Sequence, residues 1–380
     1  MKHFYGDFKL GIVGGGQLGR MLIQSAIDLN VDVKVLDPAP NAPCAGIAHE
    51  FVCGSLTDEE TVVDFGSDCD LVTIEIENVS TSALRKLRDR GVLVYPQPEV
   101  IELVKNKVVQ KNFYKTSNIP TSPFFEVKDR QGVMEHSDFI PMVNKLATEG
   151  YDGRGVQVIR RPEELSKAFD RPGLVEKFID FQTEISVIVA RSANGEVRSF
   201  PPVELAFHPE ANLVEFLFSP AQLPESIASE AVKVAERVIR SLDMVGLLAV
   251  EMFVTRSGEV LVNEIAPRPH NSGHQTIEAN VTSQYEQHLR AILGMPLGDT
   301  GILIPSAMVN LLGEEGHQGP VVCVGIEEVL ATEGTHIHLY GKKETKPFRK
   351  MGHVTITDPD MESLRKKARF VKDTFKIISE

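Results

Sequence analysis

Hydrophobic and polar positions change period several times along this chain. From Lys9 to about Pro98, the strand-like runs KLGIVGGG, VDVKVLDP and LVTIEIEN alternate with amphipathic stretches, and Thr57 in TDEE opens a helix. That alternation predicts a parallel sheet with helical crossovers. Val100, Val104 and Val108 then recur at four-residue spacing, flanked by Ile101, Val109 and Phe113, so one helix is expected from about Glu99 to Lys115. Pro120 and Pro123 close it and mark a boundary. From Phe124 onward short strands dominate: FFEV, FIPMV, GVQVI, LVEKFI, EISVIVA and RSFPPVE. A long helix is expected over Ile227 to Leu242, with Ala231, Val234, Val238 and Leu242 on one face. Two strands, LLAVEMFV and EVLVNEIA, flank a turn at Ser257-Gly258. After about Gly316 the strands THIHLYG and HVTIT precede a charged helix from Glu362, so a small C-terminal domain is expected.

Length and composition narrow the class. The 380 residues, 42% of them hydrophobic, can fill two or three domain cores. A net charge of -13 opposes nonspecific binding to nucleic acid, so any anionic ligand needs a local cationic site. The start, MKHFYGDFKL, has no apolar signal core, and no apolar run is long enough to span a membrane; a cytoplasmic protein with neither membrane nor nucleic acid as partner is expected. Cys44, Cys53, Cys69 and Cys323 are widely spaced, as reduced thiols rather than zinc ligands would be.

Three constellations carry candidate chemistry. Gly14-x-Gly16-x-x-Gly19 follows a strand, opens a helix and is followed by Asp37 at the end of the next strand, which is the dinucleotide-binding fingerprint. The glycines by themselves require only that backbone N–H groups approach some anion at a helix N-terminus. Second, a turn centred between Ser257 and Gly258 sets Glu251 directly opposite Glu264. Two like charges facing across a ladder repel, so a counter-charge is expected, and Mg2+ shared with substrate phosphates suits them. A different register would leave the two merely exposed. Strict alternation turns the adjacent Asn263 to the other face. Third, Gly150-Tyr151-Asp152-Gly153-Arg154-Gly155 forms a glycine-rich loop after a strand carrying Lys145, as a phosphate cradle or an ordinary hairpin loop would.

Together with Glu176 in LVEKFI, Glu184 in TEIS, Asn263 to His274 in NEIAPRPHNSGH, GGGQLGRM, EIEN, YGK and RKMGH, these motifs resemble, in order and over nearly the whole chain, the 5-(carboxyamino)imidazole ribonucleotide synthetases of purine biosynthesis. The resemblance implies an ATP-grasp fold of mixed α/β and α+β class. Its parts would be a Rossmann-like domain over residues 1–98 that binds no dinucleotide, a linking helix to about 120, a lid domain over 121–190, a central domain over 191–315 and a C-terminal domain over 316–380. It implies ATP and Mg2+ as cofactors, aminoimidazole ribonucleotide and bicarbonate as substrates, a carboxyphosphate intermediate and a homodimer.

Roles follow from the resemblance position by position. Lys107 and Lys145 would contact ATP phosphates under the loop Gly150 to Gly155, Glu176, Lys177, Phe178 and Ile179 would line the adenine pocket, and Glu184 would hold the ribose. His208 and Asn263 would also contact nucleotide, and Glu251 and Glu264 would hold Mg2+. Tyr151, Asp152, Arg268, His270, Asn271, Ser272, Lys342, Arg349 and Lys350 fall at positions for the second substrate, with Gln17, Leu18, Glu77 and Asn78 closing the far side. Of these, Tyr151, Asp152, Arg268, His270 and Lys342 would be catalytic. The stretch Lys342 to Lys350 holds five cations and one acid, as a phosphate grip or a solvated charge run would. Two positions depart from the family: Lys107 replaces an Arg and loses its bidentate fork, and Glu149 replaces a Gly before the loop. A formate-dependent glycinamide ribonucleotide transformylase, a biotin carboxylase, a noncatalytic nucleotide sensor and an NAD-dependent oxidoreductase are the competing readings.

Overall fold

The computed structural model describes residues 8–148, 155–207 and 214–380. The first unit is a parallel sheet of β1 (Lys9–Val13), β2 (Asp32–Asp37), β3 (Glu50–Cys53), β4 (Leu71–Ile74) and β5 (Leu93–Val94), ordered β3-β2-β1-β4-β5. Alternate strand residues serve opposite faces. Leu10, Ile12, Val33 and Val35 pack on α1 (Gln17–Asp28), whereas Val13, Leu36, Val72 and Ile74 pack on α2 (Glu59–Gly66) and α3 (Thr81–Asp89). Burial on both faces explains why these strands read as apolar runs.

The helix expected over residues 99 to 115 is two helices, α4 (Pro98–Lys105) and α5 (Lys107–Thr116). Asn106 between them is extended, and its side chain accepts hydrogen bonds from the backbone N–H groups of Val108 and Val109. An asparagine cap stabilises a new helix start by on the order of 1 kcal/mol, while the apolar stripe runs on unbroken past it. Lys107 thereby becomes the first residue of α5, and Lys111 lies one turn beyond it.

An antiparallel sheet follows, β6 (Phe124–Val127), β7 (Met142–Leu146), β8 (Val156–Ile159) and β9 (Gly173–Lys177), in the order β6-β9-β7-β8. The remaining strands are β10 (Phe181–Arg191), β11 (Val197–Ser199), β12 (Val203–Phe207), β13 (Val214–Ser219), β14 (Gly246–Thr255), β15 (Val260–Ala266), β16 (Ser306–Leu312), β17 (Gly319–Val324), β18 (Thr335–Leu339), β19 (Glu344–Thr345), β20 (Lys350–Thr357) and β21 (Lys376–Ser379). One nine-stranded sheet, β15-β14-β10-β12-β13-β16-β20-β18 with β11 on β10, runs across the boundaries expected at residues 190 and 315. Strands on both sides of each boundary share hydrogen bonds, because β10 pairs with β12 and β14, and β16 with β20. Only β17, β19 and β21 form a separate small sheet. The helix Glu225–Ser241 covers β10, β14 and β15 through Ala231, Val234, Val238 and Ile239.

Candidate active site

The β14–β15 hairpin sets the geometry. Its connection is Arg256-Ser257-Gly258, with Gly258 at a φ of 86°, one residue longer than the two-residue turn expected. The strands therefore leave the turn one residue out of phase, Val254 opposite Val260 and Met252 opposite Val262. A bulge at Asn263 restores the register, and beyond it Glu251 faces Glu264. The bulge also overturns the expectation for Asn263. An extra residue in one strand cancels the alternation locally, so Asn263 and Glu264 serve the same site. Lys145 Nζ donates to Asn263 Oδ1 at 3.0 Å, and Lys107 Nζ donates to Glu264 Oε2 at 2.7 Å.

Charge is out of balance at this hairpin. Lys107 holds the Glu264 carboxyl down at about 2. Burial, with the charges of Glu264 and Glu184, pushes Glu251 well above the carboxylate range. Burial and Glu264 likewise push Glu184 up to about 7. Too many carboxyl groups share too few cations, which is the electrostatic demand that a divalent ion meets. Glu264 keeps 45% of its side chain exposed, leaving a path for an ion. Among the described residues no group of three or more metal-binding side chains forms, so Glu251 and Glu264 would share Mg2+ with phosphate oxygens and water.

The expected phosphate loop is rooted beside these groups. Leu146 N donates to Gly155 O, and Lys107 N to Ala147 O. Glu149, Gly150, Tyr151, Asp152, Gly153 and Arg154 lie outside the described residues, as does His208. Gly155 takes a φ of 75°. Glu176, expected in the adenine pocket, turns its carboxylate inward between Lys145 Nζ and Lys111 Nζ, each at 3.1 Å. Ser122 Oγ donates to it at 2.6 Å. Burial alone would raise this carboxyl, but the two lysines hold it at about 2. Lys111 escaped the sequence reading; its i+4 spacing from Lys107 on one helix was the available signal. Lys177 Nζ reaches Phe139 O at 3.4 Å, and the Arg160 guanidinium lies over the Phe178 ring. Ile179 is half-buried beside them.

On the far side, Arg268 Nε pairs with Glu77 at 2.9 Å, joining the segment after β15 to the segment after β4 in the N-terminal unit. Lys342 Nζ donates to Gln17 Oε1 at 3.1 Å and to Lys350 O at 2.6 Å, so the cationic stretch near the C-terminus also reaches the N-terminal unit. Arg349 donates to Glu344 O in its own loop. His270 Nε2 approaches Glu251 Oε1 at 3.6 Å. Burial, with Arg268 and Lys350 nearby, lowers His270 to about 3, so its ring is neutral at physiological pH. Ser272 N donates to His270 Nδ1 at 3.3 Å, which assigns the ring proton to Nε2. Ser272 itself is buried, its hydroxyl shared between His270 and Ser186. Asn271 keeps a buried Oδ1 without a hydrogen bond, while Asn78 is exposed. Leu18 is 8% exposed and packs in the core of the first unit, so only its backbone could have met a substrate.

That backbone is engaged too. Leu18 N donates to Glu75 Oε1 at 3.2 Å and Gly15 N to Asp37 Oδ2 at 2.8 Å. A Cβ on Gly16 would lie 2.4 Å from Glu75 Oε1, so the turn's small residues accommodate a carboxylate of the protein itself. The Glu75 carboxyl group, pushed up to about 7 by burial, already occupies the place where a dinucleotide would put its pyrophosphate. Purified protein should show no thermal shift with NAD. Asp37→Ala should lower stability by about 1–3 kcal/mol, because the Gly15 and Ala39 N–H groups lose their acceptor, and should not change nucleotide preference. Micromolar NAD binding abolished by Asp37→Ala would restore the fingerprint to its usual role.

Comparison with known protein families matches three successive parts of the chain. The ribonucleotide synthetase preATP-grasp domain matches residues 8–105, the ATP-grasp domain 112–285, and the phosphoribosylaminoimidazole carboxylase C-terminal domain 306–367. The N5-carboxyaminoimidazole ribonucleotide synthase of Bacillus subtilis is 39% identical over 91% of this chain and 90% of its own. The crystal structure of N5-carboxyaminoimidazole ribonucleotide synthetase from Thermotoga maritima superposes with a TM-score of 0.91, at 42% identity, over 98% of this chain and 100% of that one. The Aspergillus clavatus synthase in complex with ADP and 5-aminoimidazole ribonucleotide gives 0.88 at 33% identity, over 97% and 98%. The chain spans 65% of the length of curated phosphoribosylaminoimidazole carboxylases that it also matches, at 38% identity.

Proposed function

Since the chain belongs to the N5-carboxyaminoimidazole ribonucleotide synthetase family, we propose that it carboxylates the exocyclic amine of 5-aminoimidazole ribonucleotide, using bicarbonate and converting ATP to ADP and phosphate. The reaction divides into two displacements. A bicarbonate oxygen attacks the γ-phosphorus of ATP, ADP leaves, and carboxyphosphate forms. The amine nitrogen then attacks the carboxyl carbon, loses a proton, and phosphate leaves.

Each step draws on residues of one side. Lys107 and Lys145 hold the nucleotide phosphates, and Glu184, Lys177, Phe178 and Ile179 the rest of the nucleotide. Mg2+ held by Glu251 and Glu264 would draw charge from the transferring phosphoryl group. Arg268, Lys342, Arg349 and Lys350 grip the ribonucleotide phosphate. His270, neutral and with its proton on Nε2, can donate a hydrogen bond without adding a positive charge.

The observation that best supports this reading is the 3.6 Å approach of His270 to Glu251, a residue proposed for the ribonucleotide side beside one proposed for the metal. Carboxyphosphate made on one side is then received on the other without crossing water, which would hydrolyse it. Among the described residues no helix is long and apolar enough to cross a membrane. A cytoplasmic homodimer without nucleic acid or membrane partners completes the proposal, on the family resemblance and the acidic charge.

ADP release coupled to a spectrophotometric readout tests it. Release should require both aminoimidazole ribonucleotide and bicarbonate. ADP formed instead from formate and glycinamide ribonucleotide, or in full without bicarbonate, would replace this reading with another ATP-grasp activity.

A further inference from the structure

Behind the nucleotide side lies a cation that the proposed reaction does not use. Lys111 is 2% exposed. Its ammonium group meets Thr121 Oγ1 at 2.6 Å, Ser122 Oγ at 2.9 Å and Glu176 at 3.1 Å. Three N–H groups have three partners, so none is left for a ligand. Burial lowers Lys111 to about 8, against the pull of Glu176, so the group is still largely charged near neutrality.

Its effect passes through Glu176. That carboxylate touches Lys145 as well, and Lys145 in turn donates to Asn263, next to Glu264. Thr121 Oγ1 donates to Val262 O at 2.7 Å, so the partners of Lys111 are tied to the same bulged strand. Two lysines and one glutamate leave a surplus of one positive charge, and Lys145 is the member that faces the site. Without Lys111, Glu176 would neutralise Lys145 and the surplus would vanish.

We infer that Lys111 is a positioning residue for the nucleotide phosphates, acting through Glu176 to keep the charge of Lys145 available and its ammonium group at Asn263. This rests on the proposed contact of Lys145 with ATP. Because the low-dielectric surroundings strengthen each of these pairings, a neutral side chain at 111 should be felt at the phosphates even though it never touches them.

Calorimetric titration of the full chain with ADP in excess Mg2+, beside steady-state kinetics, tests this. Lys111→Met should weaken ADP binding by on the order of 10-fold and raise the KM for ATP similarly, leaving the KM for aminoimidazole ribonucleotide unchanged. Lys111→Met/Glu176→Gln leaves Lys145 with its surplus charge and should return ADP affinity to within about 3-fold of the parent. If Lys111→Met does not fold, the double variant decides, since its buried pair is neutral. Normal ADP binding in Lys111→Met together with loss in Lys145→Ala overturns the inference alone. A double variant no tighter than Lys111→Met, or folded but more than about 3-fold weaker than the parent, also overturns it, because packing would then be the whole role of Lys111. Normal ADP binding in Lys145→Ala overturns the underlying nucleotide assignment.

Discussion

Glu264→Gln should lower turnover by at least about 100-fold at saturating Mg2+, and Glu251→Gln by a similar factor. The two carboxylates face each other across the bulged hairpin, and either change halves the charge available to an ion that neutralises a transferring phosphoryl group. Without metal the two variants should part company. In the folded chain Glu251 is held well above its ordinary 4.5, so its ionisation opposes folding, and the stability withdrawn grows as pH rises past that value. Glu251→Gln removes the penalty, and its metal-free Tm should gain on the parent as pH rises from about 4.5 towards 8. Glu264 is shifted the other way by Lys107, so Glu264→Gln forfeits an attraction present at neutral pH, which offsets the relief it gives Glu251 and Glu184, and its gain should be smaller than that of Glu251→Gln. Kinetics at varied Mg2+ and thermal melts in chelator across that pH range measure both. Near-parental turnover of Glu264→Gln would exclude a metal site at this pair.

Arg268→Ala and Lys342→Ala should raise the KM for aminoimidazole ribonucleotide by roughly 10-fold or more while leaving that for ATP nearly unchanged, and Lys145→Ala should do the opposite. The ribonucleotide phosphate is remote from the reacting amine, so contacts to it contribute mainly to binding. Structure sharpens the expectation for Lys342, whose ammonium group bridges Gln17 in the first unit and Lys350 O in β20. Its loss should loosen the union of the two units as well as the phosphate grip. Arg268→Ala leaves Glu77 without its 2.9 Å partner, a second negative charge facing an anionic substrate, so its KM effect should exceed that of Lys342→Ala. Varying each substrate in turn decides the matter. Loss of ATP affinity in the Arg268 and Lys342 variants, with normal ribonucleotide affinity, would exchange the two sides of the site.

Local patterning determined much of this protein from sequence alone. The alternation of apolar runs and amphipathic stretches specified the parallel N-terminal sheet, because side-chain period follows directly from backbone geometry. Glu251 and Glu264 were found opposite each other for the same reason, although two errors cancelled. The turn is one residue longer than expected, and the bulge at Asn263 takes that residue back. Ordered motifs extended the reading to family and chemistry.

What depended on contacts between distant segments stayed hidden. Periodicity carried one helix through Asn106, since a cap hydrogen bond leaves the apolar stripe intact. It turned Asn263 away from the site, since a bulge is a property of two paired strands. It could not show that Glu75 fills the glycine turn, that Glu176 lies between Lys111 and Lys145, or that Gln17 meets Lys342 from the far end of the chain. A one-dimensional pattern fixes which way a side chain leaves its own element. Which charge it then meets depends on how the sheets pack together, and at this site those meetings decide which carboxylates stay ionised and which lysines remain available to a ligand.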